Sequence, residues 1–227
     1  MRRLLILVGL ILGGCATKPP PDPNDPTQVG MLQPDVLMKN LKWTSDAANM
    51  RVERGEISEA RAKEIVAGYA TDLTANIDLQ RIRLDRAWEY AEVFRTARQW
   101  ERARAVFEVA VANPPNNDRR VNDSLRLAHV LSEMGRVEEA ISKARSIFDA
   151  APENRAPIMP ALTLEVVPAA KGKGFDEELA KLLEDSIPIY ERTTVNEDSD
   201  AGKAFLFAKP FHIRHARKLI AELRAKE

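Results

Sequence analysis

The chain has one cysteine in 227 residues, and aromatic side chains make up only 6% of it. A single cysteine cannot form an internal disulfide, so Cys15 needs another role. Lysine plus arginine and aspartate plus glutamate number 34 each, which leaves no positive excess to attract nucleic acid. No apolar run reaches the roughly 18 residues that predict a membrane-spanning helix. The remaining composition, 30% charged, is typical of a solvated, helix-rich domain.

The N-terminus combines a basic start, a short apolar run and the cysteine. Two arginines precede residues 4–12, and these nine residues span about 14 Å as a helix, against roughly 30 Å for a bilayer core. This pattern predicts a secretory signal peptide over residues 1–14. Residues 12–15, Leu-Gly-Gly-Cys, resemble the lipobox of bacterial lipoproteins. The resemblance implies that Cys15 is lipidated and becomes the new N-terminus; the alternative is a small buried thiol.

Acylation of Cys15 would hold the mature chain on a membrane. Each buried methylene contributes about 0.8 kcal/mol, and stable attachment takes more than one acyl chain. In the lipoproteins that this N-terminus resembles, an aspartate after the cysteine favours the inner membrane, whereas this chain has Ala16. The resemblance therefore implies a lipoprotein of the outer membrane that faces the periplasm.

Residues 15–34 are rich in proline and have no apolar periodicity. Proline removes backbone donors and favours the extended polyproline II conformation. At about 3.1 Å per residue, such a segment reaches on the order of 55 Å. We expect it to be a tether between the lipid and the folded part.

Residues 35–227 are predicted to form an all-α domain. Ser58 is a candidate N-cap, and the apolar residues that follow it lie on one face at the 3.6-residue period of a helix. They are Ala62, Ile65, Val66, Tyr69, Leu73 and Ile77. Because neither glycine nor proline lies between Tyr69 and Arg98, the helix either continues through residues 76–78 or breaks there.

An internal repeat with an offset of 37 residues follows. Its matched pairs are Ala91 with Ala128, Phe94 with Leu131, Trp100 with Val137, Ala103 with Ala140, Phe107 with Ala144, Ala110 with Ile147 and Pro115 with Pro152. This pattern resembles the tetratricopeptide repeat, a helical hairpin of 34 residues, with a longer connecting loop. The clearest copies are residues 84–117 and 121–154, and Arg98 replaces the turn glycine that the second copy has at Gly135. The resemblance implies an α-solenoid of stacked hairpins.

The rest of the domain is less regular. Residues 158–187 predict a third hairpin, whose first helix Pro160 and Pro168 interrupt. The Lys-Gly-Lys-Gly sequence at 171–174 lacks the spacing of a phosphate loop, so we interpret it as a helix connector. A last helix over residues 211–225 has one apolar face and predicts a cap of the array.

Catalytic patterns are scarce in this sequence. His212 and His215 lie three residues apart on the last helix, but no further ligand has suitable spacing, and a metal site needs three or four groups. No nucleophile motif is present either. We predict no catalytic residue, no metal and no cofactor. The alternative is an envelope enzyme or metal-binding protein that uses these two histidines.

In tetratricopeptide proteins the first helix of each repeat lines a concave groove. Carried over by position, the implied groove residues are Asp85, Trp88, Glu92 and Arg95 from the first copy and Asn122, Leu125, His129, Ser132 and Glu133 from the second. Trp88 is either an aromatic anchor for an extended peptide or part of the core between helices. The clamp of the members that bind chaperone tails is absent. We therefore expect a membrane-anchored adaptor or scaffold for a protein or peptide partner in the cell envelope.

Overall fold

The computed structural model of the chain describes residues 33–75 and 77–225. All regular secondary structure in these ranges is helical, which confirms the predicted all-α class. The signal peptide predicted for residues 1–14, the lipidation site Cys15 and nearly all of the tether lie outside the described residues.

The helices are joined by short connections, and α7, the π-helical turn and α8 follow one another without a break. In chain order they are α1 (Pro34–Glu53), α2 (Glu59–Thr74), α3 (Ala87–Thr96), α4 (Trp100–Ala112), α5 (Asn117–Glu133), α6 (Val137–Arg145), α7 (Ile158–Ala161), a π-helical turn (Leu162–Val166), α8 (Val167–Ala170), α9 (Asp176–Glu191) and α10 (Asp200–Arg224). Short 3-10 turns cover Leu79–Arg81, Leu84–Arg86 and Pro152–Asn154.

The second helix starts where the sequence predicts, and of the two alternatives for its end the structure shows the break. The Ser58 side chain accepts a hydrogen bond from the N–H of Arg61 at 3.2 Å and caps α2. At the other end, the Asp78 carboxylate accepts from the N–H of Gln80 at 2.9 Å. This local bond gives the backbone an alternative to the helix, so the chain breaks after Thr74.

The helical hairpins α1–α2, α3–α4 and α5–α6 turn in the same way. Arg98 and Gly135 both have a positive φ, of 56° and 78°, and Gly55 has one of 70° between α1 and α2. In all three turns the N–H of the next residue donates to the carbonyl five positions earlier at 2.9 Å. This bond is the mark of the Schellman motif, which ends a helix through one left-handed residue.

The core consists of two apolar clusters. One joins α1 to α4 with one side of α5, and the other joins the opposite side of α5 with α6 to α10. The alanines that the repeat alignment pairs are fully buried, which lets the helices approach closely. They are Ala91, Ala103, Ala128, Ala140 and Ala144.

The third predicted hairpin forms, but its first helix is wound more widely in the middle. The N–H of Val167 donates to the carbonyl of Leu162, five residues back, as in a π-helix. Pro168 has no N–H for the carbonyl of Leu164, which explains the irregularity at this place. Residues 171–174 connect α8 to α9, and Lys173 donates from Nζ to the carbonyl of Ser132 at 2.7 Å.

The last helix is longer than the sequence predicts. It begins at Asp200 rather than at residue 211 and continues through Pro210. Ser199 caps it by accepting from the N–H of Gly202 at 3.0 Å. The ring of Phe205 packs edge-on against Tyr190, with centroids 5.3 Å apart. This contact and the cap stabilise the helical turns before Pro210, although a proline inside a helix is unfavourable.

Candidate binding cleft

A cleft of about 1130 Å³ opens between the N-terminal hairpin and the middle of the chain. Its walls come from α1, α2, the C-terminal ends of α3 and α5, and the π-helical turn. Because its lining residues come from these five segments, with Arg98 and Trp100 from the α3–α4 turn, the cleft crosses several helices rather than following one. Its size suits a peptide segment or a large small molecule.

One wall of the cleft carries an exposed apolar side chain. Leu164 lies in the π-helical turn and is 60% exposed. Its neighbour Glu165 faces the same cleft. The π-helical turn inserts an additional residue per turn and so displaces these two side chains from the buried stripe of the helix. Leu164 is therefore available to an apolar group of a partner.

A network of alternating charges lies beside the cleft, and two of its members, Arg95 and Glu165, line it. Glu92 accepts two hydrogen bonds from Arg95, at 2.5 and 2.9 Å. Glu165 accepts from Arg126 at 2.5 and 2.6 Å, and its Oε2 lies 3.9 Å from Nη1 of Arg95. The network joins α3, α5 and the π-helical turn, which belong to three successive hairpins. It fixes the orientation of charged groups that surround the cleft.

His129 lies at the centre of this network and is neutral. Its Nδ1 is 3.2 Å from Nη1 of Arg95, and a guanidinium can only donate, so Nδ1 accepts and the proton is on Nε2. Nε2 lies 3.4 Å from Oε1 of Glu133. Burial and the charge of Arg95 lower the pKa of His129, against the opposite effect of Glu165 and Glu133. The side chain thus presents a neutral donor to the carboxylate at the cleft edge.

The carboxylate of Glu92 is ionised despite being largely covered. Burial raises its pKa, but the charge and hydrogen bonds of Arg95 and the charge of Arg126 outweigh this effect, so the pKa is lowered. Arg95 gains in turn, because the nearby carboxylates of Glu92 and Glu165 raise its pKa although burial lowers it. The pair stays charged at neutral pH.

The structure brings together some of the groove residues that the repeat resemblance implies. Arg95, His129 and Glu133 line the cleft. Glu92 does not line the cleft but accepts a hydrogen bond from Arg95. These residues come from α3 and α5, the first helices of the two repeat copies.

Three others lie elsewhere on the surface. Asp85 is exposed and pairs with Arg83 at 2.8 Å. Asn122 donates to the carbonyl of Asp118 at 2.9 Å. Trp88 is half-buried against the N-terminal cluster, and the guanidinium carbon of Arg119 lies 3.7 Å from the centroid of its ring. Arg119 covers this ring, which is not part of the cleft.

The groove assignment of Leu125 and Ser132 is wrong. Leu125 is 2% exposed and belongs to the C-terminal apolar cluster, and Ser132 is fully buried. The physical reason is that α5 has neighbours on two sides, so a face that would be open in an isolated hairpin is covered. The part of α5 that lines the cleft is its C-terminal end, at His129 and Glu133.

Sequence reasoning missed the residues that α1, α2 and the π-helical turn contribute. Asn49, Val52, Lys63 and Val66 are among them, as is Leu164. The apolar stripe of α2 indicates which side is buried, but it does not show that its polar edge faces His129. For Leu164, the signal was Pro168, four residues later, which disturbs the helix locally.

A second polar cluster lies beside Trp88. The buried carboxylate of Asp123 accepts from Arg119, and its Oδ2 has no hydrogen-bond partner within the described part of the chain. Burial raises the pKa of Asp123 to about 6, although the charge of Arg119 lowers it. This cluster is a cost to stability near neutral pH rather than a second cleft.

One of the two C-terminal histidines, His212, contacts a tyrosine. His212 Nδ1 lies 2.8 Å from the hydroxyl of Tyr190, and burial lowers the pKa of this histidine. Burial also raises the pKa of Tyr190 to about 12, so its hydroxyl stays protonated. Within residues 33–75 and 77–225, no group of three or more His, Cys, Asp or Glu side chains is placed to hold a metal ion.

None of the helices in the described ranges combines the length and hydropathy that a bilayer crossing requires. Comparison with protein-family models, with curated proteins and with solved structures found no match to this chain.

Proposed function

We propose that the chain is a tetratricopeptide-like repeat lipoprotein that binds an extended protein segment in its cleft and acts as an adaptor in the cell envelope. The observation that carries the proposal is the cleft itself, where an exposed leucine lies beside a fixed network of charges. An apolar anchor with ordered polar neighbours is a common arrangement in peptide recognition.

The repeat assignment is supported by the backbone. The turns at Arg98 and Gly135 have the same hydrogen bonds at an offset of 37 residues, and the paired alanines are buried in both copies. In repeat proteins, binding surfaces arise where several units meet. The cleft has this property, since Arg95, His129 and Glu165 come from three successive hairpins.

The chemistry of the walls favours a peptide with both apolar and charged side chains. Leu164 offers an apolar contact, and Glu133 and Lys63 offer opposite charges at the rim. Arg95 and Glu165 already pair with protein groups, so they would orient a partner without having to be newly ordered. We propose binding rather than catalysis as the role of this site.

The lipid anchor is the second part of the proposal. Its support is the order of basic start, apolar run, small residues and Cys15 in the sequence. A tether after this residue would let the cleft meet partners at some distance from the outer membrane, on its periplasmic side.

Crosslinking from inside the cleft tests the adaptor role. A photo-reactive amino acid is placed at Leu164 in living cells, and the matched control has it at Leu84, which is 63% exposed and lies outside the cleft. The crosslinked segment is identified by mass spectrometry and made as a synthetic peptide. We expect this peptide to bind the purified protein and to lose about tenfold or more in affinity with Leu164→Asp.

The variant Leu84→Asp is expected to bind the peptide as the parent does. Equal crosslinking from both positions, or a peptide whose affinity does not change with Leu164→Asp, would show that the cleft is not the binding site.

A further inference from the structure

The outward face of α10 carries aromatic side chains where a terminal helix needs a polar surface. Phe207 is 76% exposed and Phe211 is 52% exposed, and their ring centroids are 5.6 Å apart. The end of a repeat array meets water and is polar in most such proteins. Adjacent exposed phenylalanines on one helix are therefore a candidate contact surface.

Basic residues share this face. At 100° per residue, Lys203, Phe207, Phe211, Arg214 and Lys218 fall within a sector of about 80°. All five are exposed, and the guanidinium carbon of Arg214 lies 4.8 Å from the centroid of the Phe211 ring. We call these five residues the α10 stripe. The opposite side of the helix, with Ala216, Leu219 and Leu223, is buried in the C-terminal cluster.

Few carboxylates balance the positive charges of the stripe. No aspartate or glutamate occurs between residues 201 and 221, and the carboxylates of α10 are Asp200 at its first residue and Glu222 in its last turn. In the part of the chain that the structure describes, Lys203 and Arg214 have no ion-pair partner, and Lys218 has only Glu222 at 3.7 Å. The stripe is thus locally cationic in a chain whose overall charge is zero.

We propose that the α10 stripe docks on an anionic lipid surface. The phenylalanines would enter the boundary between headgroups and acyl chains, and the three basic residues would meet the lipid phosphates, as on other interfacial amphipathic helices. Each lysine or arginine near such a surface strengthens binding by about fivefold. Docking through this face leaves the buried side of α10 in place.

Charge complementarity distinguishes this occupant from a second copy of the chain. Two α10 stripes face to face would bring six basic side chains together against two carboxylates from each helix, Asp200 and Glu222, and the remaining repulsion opposes a dimer. An acidic protein could also bind a cationic face, and the experiment below distinguishes such a protein from lipid. The inference depends neither on the peptide cleft nor on acylation of Cys15.

The test places a fluorescent reporter in the stripe. The full chain with Phe211→Trp is bound to vesicles of phosphatidylcholine and phosphatidylglycerol whose acyl chains carry bromine, which quenches only tryptophans that reach the lipid. The emission of Trp43, Trp88 and Trp100, measured on the parent chain, is subtracted. The matched control is Leu84→Trp, at a residue that is 63% exposed on the N-terminal half.

We expect the tryptophan at position 211 to lose about half or more of its emission on these vesicles and far less on phosphatidylcholine alone. Adding Lys203→Glu and Arg214→Glu to the reporter chain should abolish the quenching with an unchanged circular dichroism melt. Quenching at position 211 that is no greater than at position 84, in chains that float with the vesicles, would overturn the proposal. The proposal would also be overturned if poly-glutamate changed the emission of this tryptophan and the vesicles did not, which would indicate an acidic protein partner.

Discussion

Arg98 and Gly135 occupy the same left-handed backbone position 37 residues apart, although only one of them is a glycine. A residue with a Cβ in this conformation costs about 1 kcal/mol relative to glycine. No atom lies within 4 Å of the position that a Cβ on Gly135 would take, so the difference between the two turns is one of backbone strain and not of space.

The first prediction follows from this pair. Arg98→Gly is expected to raise the free energy of unfolding by roughly 0.5–1 kcal/mol, because the relief of backbone strain outweighs the conformational entropy that glycine adds to the unfolded chain. Gly135→Ala, the matched change, is expected to lower it by about 1 kcal/mol. Urea denaturation followed by circular dichroism measures both. A loss of stability with Arg98→Gly would mean that the arginine side chain contributes more than its backbone costs.

The second prediction concerns the close packing of the repeat. Ala140 is fully buried, so Ala140→Asp would place a charge without a partner in the core and lower the free energy of unfolding by several kcal/mol. Trp88→Ala is expected to cost about 1–2 kcal/mol, since the ring is only half-buried under Arg119.

Because Trp88 lies outside the cleft, Trp88→Ala should leave binding of the crosslinked peptide unchanged. A variant that melts like the parent but no longer binds the peptide would restore Trp88 to the binding surface.

The third prediction is a dependence of stability on pH. The pKa of Asp123 is raised to about 6 in the folded chain, so between about pH 4 and 6 the folded state holds more protons than the unfolded state. The stability contributed by this residue therefore rises as the pH falls through that range. At pH 7.5 ionised Asp123 costs roughly 2–3 kcal/mol.

Asp123→Asn isolates this effect from other groups. We expect the variant to be more stable than the parent at pH 7.5 and the difference to shrink by roughly 2 kcal/mol at pH 4.5. His129 has a lowered pKa and acts in the opposite direction, but it is present in both chains and cancels. A difference that stays constant between the two pH values would contradict the raised pKa.

The fourth prediction concerns the anchor. Cys15 is the only cysteine of the chain, so Cys15→Ser removes its only site for thioether-linked lipid. Metabolic labelling with a fatty-acid analogue should mark the parent and not the variant. A variant that still takes up the label and still sediments with membranes would exclude the lipoprotein assignment.

The sequence was a good guide to local structure. Ser58 caps a helix as its position before an apolar stripe indicates, and the alanines paired by the repeat are buried. These features depend on periodicity and on bonds between near neighbours, both of which are visible in a single chain. The start of α10 was missed because the contact of Phe205 with Tyr190, which stabilises the part of the helix before residue 211, is between distant residues.

The candidate site was predicted less well, for a related reason. Arg95 and His129 both lie near the C-terminal ends of their helices, α3 and α5, where these helices line the cleft. Leu125 and Ser132 share that helix with His129, but the neighbours that cover them come from other parts of the chain. Which face of a helix stays open is decided by tertiary packing, and the pattern of one helix does not contain that information.

The α5–α6 hairpin belongs to both apolar clusters, with Leu127 and Ala140 on one side and Leu125 and Ile141 on the other. It is therefore the hinge about which the N-terminal and C-terminal halves would bend relative to each other. Arg95 lies in the N-terminal half and Glu165 in the C-terminal half. A segment bound between them would contact both halves and restrict this bending. Occupancy of the cleft would then change the stiffness of the molecule.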